Sequence, residues 1–376
     1  MESLTDLAMN WRSALLGLLM VCTLIALVYL GFRQIEEPST RWLAALIICI
    51  NITAIPMVIG FAGAYDLWPG LTFLPTQMMP LYGPLMLLHA HALMRGPPPR
   101  WLYALLVPGA LYWVYQLWAF TMLGDYRTKW EFNDAIHEPA IFPAMLLVTA
   151  GLMVLALVMT GRWRASYLHW LEQHRSDDDA FSPSWITHFL LFAVPLAAVW
   201  AIEQVAESLF GVNYVGQYWW DFLALFLTFL ITVEALARLR EPFPKMLAGK
   251  AVSGNPNEPG PEARDWTLEG QRLRLQVMEN AWHLEPGLSL QELARRFGSN
   301  QTYVSRALNQ GLGVSFSDFV NGLRVEHARR LIEKGDLSMI EIALASGFGS
   351  KASFNRAFRL HGGESPSQFK LAVDSQ

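Results

Sequence analysis

The sequence predicts an all-α chain: a seven-helix membrane bundle followed by a cytoplasmic domain with two helix-turn-helix units. Three observations lead there. Long apolar runs fill the first two thirds of the 376 residues, where 53% of the whole is hydrophobic and only 16% charged. The remainder is polar and mildly basic, with 13 Lys+Arg against 11 Asp+Glu over 266–376. A short pattern occurs twice within those C-terminal residues. Such an apolar balance excludes an ordinary soluble regulator and a disordered chain.

Seven stretches are long enough to cross a hydrocarbon core of about 30 Å, which takes about 20 residues. They cover 12–32, 41–62, 71–94, 101–123, 140–160, 185–207 and 218–238. Pro56, Pro84, Pro108 and Pro195 fall inside them, as membrane helices tolerate. Trp42, Trp68, Trp101, Trp163, Trp185, Trp219 and Trp220 cluster near their ends, as an interfacial belt requires. Acidic Glu2 and Asp6 precede the first run, so it reads as a retained span and not as a cleaved leader.

Loop charge sets the orientation. Arg33, Arg41, Arg95, Arg100, Arg162, Arg164, Arg175, Arg238, Arg240, Lys245 and Lys250 fall on one side, against Arg127, Lys129 and the edge residue Arg12 on the other. The N-terminus is therefore expected outside and the C-terminus inside, which needs an odd number of spans. Cys22 and Cys49, the only cysteines, lie in apolar runs and read as small packing residues.

Polar residues within spans are costly and thus candidates for a site. Asn51, Gln77, Gln116, Glu203, Gln204, Glu207, Asp221 and Glu234 are the set. Gln77, Tyr112, Gln116, Trp200, Glu203, Glu207 and Asp221 fall at similar outer depth, and an outward-opening ligand pocket is one reading of them. Its ligand would be cationic or a hydrogen-bond donor, because the acids lack basic partners within the spans. Inter-helix hydrogen bonding is the other reading. His89 and His91 have no third ligand nearby and read as interfacial histidines. Asp177-Asp178-Asp179 reads as a solvated cytoplasmic turn before the Ser182-Pro183-Ser184 helix start. No phosphate loop and no nucleophile–base pair is evident, so the sequence predicts no catalytic residue, metal or cofactor.

Residues 241–265 hold Pro242, Pro244, Pro256, Pro259 and Pro261 with Gly249, Gly254 and Gly260, and read as a linker. The expected division is 1–240, 241–265 and 266–376. A helix over about 267–282 then opens the last domain.

The repeated pattern is Glu292-Leu293-Ala294, Gly298, Val304-Ser305-Arg306-Ala307-Leu308, and again Glu341-Ile342-Ala343, Gly347, Phe354-Asn355-Arg356-Ala357-Phe358. The offset is 49 residues before the turn and 50 after it. Each copy reads as a helix with a small packing residue, a glycine turn at φ > 0, and a second helix with one apolar face. Tyr303, Val304, Ala307 and Leu308 form the packed face of the first copy; Phe354, Ala357 and Phe358 form that of the second. Asn300, Gln301, Thr302, Ser305, Arg306 and Asn309 point away in the first copy, and Ser350, Lys351, Asn355, Arg356 and Arg359 do so in the second. Arg, Asn and Gln are the side chains that read base edges in a major groove. Base contact is expected of Gln301, Arg306, Lys351 and Arg356, with phosphate contact or plain solvation the alternatives for each.

With Gly347-Phe348, Ser350, Phe354, Arg356, Phe358, Gly363 and Ser365-Pro366 after Glu341-Ile342-Ala343, the last 110 residues or so resemble the AraC/XylS family of bacterial transcription regulators. Phe319, Asn321, Arg324, Ala328 and Leu331 of the connecting helix also stand at family positions. Gly362 departs from the pattern, which has an apolar aromatic residue there. The resemblance implies two recognition helices held by a rigid helix over about 317–333, on which Arg324, Arg329 and Arg330 are expected to be exposed. It implies double-stranded promoter DNA as partner, RNA polymerase as a further one, and a homodimer on DNA. The whole then reads as a multi-pass protein of the bacterial inner membrane whose spans receive an unknown small-molecule or membrane signal. A transporter or enzyme module fused to a DNA-binding domain, and a plain membrane anchor, remain the other readings.

Overall fold

A computed structural model of the chain describes residues 10–34, 38–189, 191, 214–238, 243–246 and 265–375. Among them helices make up nearly all regular structure, and there is no strand beyond an isolated bridge. The chain divides into two compact units. One comprises residues 1–164 and 183–246; the other comprises 165–182 and 247–376.

In the first unit, α1 (Trp11–Gln34) packs along α2 (Pro38–Phe61) and α8 (Tyr214–Arg238). Leu16, Leu19, Ala54, Tyr218 and Leu225 form the shared core. Asn51 is buried here, and its carboxamide oxygen accepts a 2.9 Å bond from the Thr23 hydroxyl. A hydrogen bond between helices therefore accounts for the buried carboxamide of Asn51. Among the described residues, four helical stretches are long and apolar enough to cross a membrane: Trp11–Tyr29, Pro38–Phe61, Arg100–Met122 and Tyr126–His174.

The third apolar stretch departs from the expected continuous helix. Only α3 (Tyr82–Met94) is α-helical; a 3-10 turn at Pro69–Phe73 and another at Met79–Leu81 precede it. Pro75 and Pro80 lack the amide hydrogen that a continuous helix needs. The freed backbone is satisfied by side chains of other helices. The Trp113 indole donates to the Pro75 carbonyl at 3.1 Å, and the Thr53 hydroxyl accepts from the Met78 amide at 3.2 Å. Irregular backbone among apolar helices requires such partners.

After it come α4 (Arg100–Ala104), α5 (Val107–Met122), α6 (Tyr126–Phe132), a π-helical turn at Asn133–Ile141, and the 33-residue α7 (Phe142–His174). The sixth expected span falls mostly outside the described residues. The seventh corresponds to α8, which carries Asp221 and Glu234 and is not among the four long apolar stretches. Glu234 does have a basic partner, contrary to expectation: His188 lies 2.6 Å away and the Ser184 hydroxyl donates to it at 2.5 Å. His89, expected at the membrane interface, is fully buried within the unit. Its Nδ1 meets the Ser39 carbonyl at 2.8 Å, and its Nε2 accepts from the Trp185 indole at 3.2 Å.

In the second unit, α9 (Trp266–Glu279) precedes two helix pairs. The first is α10 (Leu290–Arg296) with α11 (Gln301–Arg306), and the second is α13 (Met339–Ala345) with α14 (Lys351–Gly362). Between them runs α12 (Phe316–Lys334), and α15 (Pro366–Asp374) follows. There are two cores, and α12 serves both. Phe316, Phe319, Val320 and Leu323 join the first with Leu293, Val304 and Leu308; Val325, Ala328 and Ile332 join the second with Ile342, Phe354 and Phe358.

Candidate nucleic-acid interface

Each helix pair is built from local signals. Ser289 caps α10 and Ser338 caps α13, the latter in a reciprocal capping box with Glu341. The turn glycines both have positive φ, 69° at Gly298 and 82° at Gly347. A side chain at Gly347 would also meet the Leu284 carbonyl at 2.5 Å, so the residue is fixed by space as well as by conformation. Beyond the turns, Asn300 immediately precedes α11 and Ser350 immediately precedes α14.

These two residues were expected to face DNA. In the fold each closes its helix: the Asn300 oxygen accepts from the Tyr303 amide at 2.8 Å, and the Ser350 hydroxyl from the Ser353 amide at 3.1 Å. A short polar side chain at that position satisfies a backbone donor that has no partner in the helix. Gln301, Thr302 and Asn309 are exposed on the first pair; Ser305 and Arg306 are half-buried, and Asn309 donates to the Ser305 hydroxyl at 3.1 Å. On the second pair Lys351, Arg356 and Arg359 are exposed and Asn355 is half-buried.

The first outward-facing helix continues past Arg306 as a π turn over Ala307–Leu312. Helix α9 presses on it through two glycines. A Cβ at Gly270 would stand 2.7 Å from the Ala307 carbonyl, and one at Gly311 would overlap the Trp266 carbonyl. Gly362, the departure from the family pattern, ends α14 where a Cβ would stand 3.2 Å from both the Phe358 ring and Arg329. The Arg329 guanidinium donates to the Gly362 carbonyl at 2.9 Å.

Arg324 overturns its expected exposure. It is 1% exposed. Its guanidinium donates to the carbonyls of His283 and Glu285, both at 2.7 Å, and to Asn321 at 3.2 Å, and it lies 5.6 Å from the Phe348 ring centre. Burial draws its pKa down to about 10. Positioned between Leu323 of one core and Val325 of the other, it ties the loop before the first pair to the aromatic core of the second. Glu292 adds a surface clasp. Hydrogen bonds from Arg295 and then Arg296 pull its carboxyl down to about 2, and Arg296 also grips Glu285 at 2.7 Å through two nitrogens.

A contact that the sequence reading missed comes from residues 165–182. Ser176 donates to the Leu288 carbonyl from its amide at 3.2 Å and from its hydroxyl at 2.8 Å. The Asp178 carboxylate accepts from Ser317 at 3.2 Å and lies 3.6 Å from the Arg356 guanidinium. Asp177 is held by both donors of Arg175 at 2.7 Å. Asp177 and Asp178 are thus docked on this unit, where a solvated turn was expected. The acidic run was visible in the sequence, but nothing in it marks partners more than 100 residues away.

The expected ligand-pocket residues divide. Gln77, Tyr112 and Gln116 line one cleft in the first unit. The Gln116 amide accepts from the Gln77 amide at 3.0 Å and donates to the Gln77 carbonyl at 2.9 Å, so it fastens the broken third stretch to α5. Asp221 is not among the cleft's lining residues. Trp200, Glu203, Gln204 and Glu207 lie outside the described residues.

Residues 293–372 match the helix-turn-helix domain family. The HTH-type transcriptional regulator CdhR of Pseudomonas aeruginosa is 34% identical over 111 residues, 30% of this chain and 33% of CdhR. Uncharacterized HTH-type transcriptional regulators of several Staphylococcus aureus strains are 36% identical over 88 residues, 23% of this chain and 12% of theirs. The chain thus spans from 12% to 33% of the length of these curated relatives. No solved structure is significantly similar. The family match and the relatives support a DNA-binding transcription regulator, and the four long apolar stretches suggest membrane association.

Proposed function

We propose that this chain is a membrane-integrated one-component transcription regulator of AraC/XylS type. Its first unit crosses the bacterial inner membrane with the N-terminus outside, and its two helix-turn-helix units read promoter DNA from the cytoplasm. The observation that carries the reading is the sharing of α12 by both cores, with Arg324 as the lock between them. A rigid spacer presenting Gln301 and Arg306 at one position and Lys351 and Arg356 at another suits two successive major grooves, about 34 Å apart.

Residues 165–182 supply a route for the signal. They continue α7 and end on Leu288, Ser317 and Arg356. A shift of this segment would change which partner Arg356 holds. Asp178 occupies that arginine as a phosphate would, so the docked form has lower DNA affinity. A ligand changes the balance only by favouring one form over the other.

Binding of residues 265–376 to promoter DNA, followed by fluorescence anisotropy, tests the reading. Arg306→Ala and Arg356→Ala should each weaken specific binding by about 1–3 kcal/mol, and affinity should fall steeply with salt. Undiminished specific binding in both variants, or an affinity independent of salt, would contradict it.

A further inference from the structure

We propose that the cleft at the Gln77–His137 end of the first unit binds a small aromatic carboxylate, with Lys129 as its counter-charge. This rests on the reading of that unit as a sensor and gives the sensor a ligand class.

The cleft holds about 250 Å³ between the Thr72–Gln77 loop, α5, α6 and the π turn. Clefts for drug-sized molecules are about 300–1,000 Å³, so the occupant is small. Its walls are rings. Phe73 and Trp130 meet edge to face at 5.3 Å; Tyr112 stacks on Tyr115 at 5.9 Å, and Tyr115 on His137 at 5.8 Å. Flat rings arranged in this way favour another flat ring.

Charge fixes the other end of the ligand. No Asp or Glu is among the lining residues. Lys129 is 9% exposed, and its ammonium donates to the Phe120 carbonyl at 2.6 Å. Among the described residues no carboxylate lies within ion-pair distance of it. An ammonium has three donors, and one carbonyl uses one. A buried cation without counter-charge is costly, and an anion bound beside it offsets that cost. One cation among many rings suits a monocarboxylate better than a phosphate. The Gln116 amide, already bonded at both ends to Gln77, is not needed for recognition. A cationic ligand, expected when the acids of the spans were the guide, meets the wrong charge here.

Arg127 and Lys129 belong to the loop set assigned to the outside, so the cleft would open to extracytoplasmic solutes.

The test titrates the full-length protein in lipid nanodiscs with benzoate, benzamide and octanoate, read by tryptophan fluorescence, since Trp130 stands in the wall. Benzoate should bind saturably and at least about tenfold tighter than either benzamide or octanoate. In Lys129→Met the preference of benzoate over benzamide should collapse to about twofold or less. Equal or tighter binding of benzamide or octanoate to the unaltered protein would overturn the proposal, and so would a preference that survives in Lys129→Met. The first comparison needs no variant, so a misfolded Lys129→Met leaves the proposal falsifiable. Promoter occupancy separates this site from the sensor reading. Discriminating benzoate binding with no change in occupancy supports the site and contradicts the sensor; membrane-dependent regulation without benzoate binding contradicts the site alone.

Discussion

The Asp178 carboxylate lies 3.6 Å from the Arg356 guanidinium, an acid of the segment after α7 paired with a base on the exposed face of α14. Asp178 is held in place by the Ser317 hydroxyl, and its neighbour Ser176 by the Leu288 carbonyl. The exposed arginine is therefore already engaged by a carboxylate before any DNA is present.

Asp178→Asn in the full-length protein should raise DNA affinity by about fivefold to tenfold, the low end of the usual range of such a coupling. Glu172→Gln, which removes the same charge from the same segment at an exposed position beside His169, should change it little. Anisotropy titrations of both in nanodiscs check this. Equal effects of the two would reduce the contact to net charge.

Removal of the Arg324 guanidinium should destabilise the DNA-binding domain more than removal of any exposed arginine. Arg324→Met leaves one buried and one part-buried carbonyl without a donor, a loss of about 2–3 kcal/mol or more. Arg324→Lys should not rescue it, because a single ammonium does not reproduce the planar fork. Urea denaturation of residues 265–376 reads the change.

Gly311→Ala should also destabilise this domain, by about 1–3 kcal/mol, because the added methyl overlaps the Trp266 carbonyl. Gly298→Ala acts through φ alone, since open space surrounds its Cβ position. A thermal melt of each variant separates crowding from backbone strain.

Stability of residues 265–376 should rise with pH across the acid range. Burial lowers the His283 pKa, and Arg295 and Arg296 lower that of Glu292 to about 2. At both sites the unfolded chain binds the proton more readily than the folded one. The His283 contribution is therefore complete above the ordinary histidine range, near 6.5, and is lost as pH falls through it. That of Glu292 is complete above 4.5 and is lost as pH falls toward 2. Melting temperatures at pH 8, 6 and 4 should descend in that order.

Reporter fusions should find position 129 outside and positions 175 and 376 inside. The opposite side for position 129 would remove both the assigned topology and the outward opening of the cleft.

What the sequence made legible was local. The repeated Glu-x-Ala, glycine and Arg pattern fixed both helix pairs, because apolar spacing and turn glycines act within a few residues. The capping by Asn300 and Ser350 was not legible because capping and base reading favour the same short polar side chains. Arg324 was placed on the surface because its acceptors are backbone carbonyls 39 and 41 residues earlier, which leave no mark on side-chain pattern. The third apolar stretch satisfied a count of apolar residues, but Pro75 and Pro80 decided its backbone. Asp178 carried a visible charge and an invisible partner.

The central claim, DNA reading by a membrane-held domain, is tested most directly by genome-wide occupancy in intact cells of the full-length protein beside residues 265–376. The account predicts shared sites with a two-part motif about one helical turn apart, and stronger occupancy by the released fragment. Absence of specific sites for both proteins would contradict it.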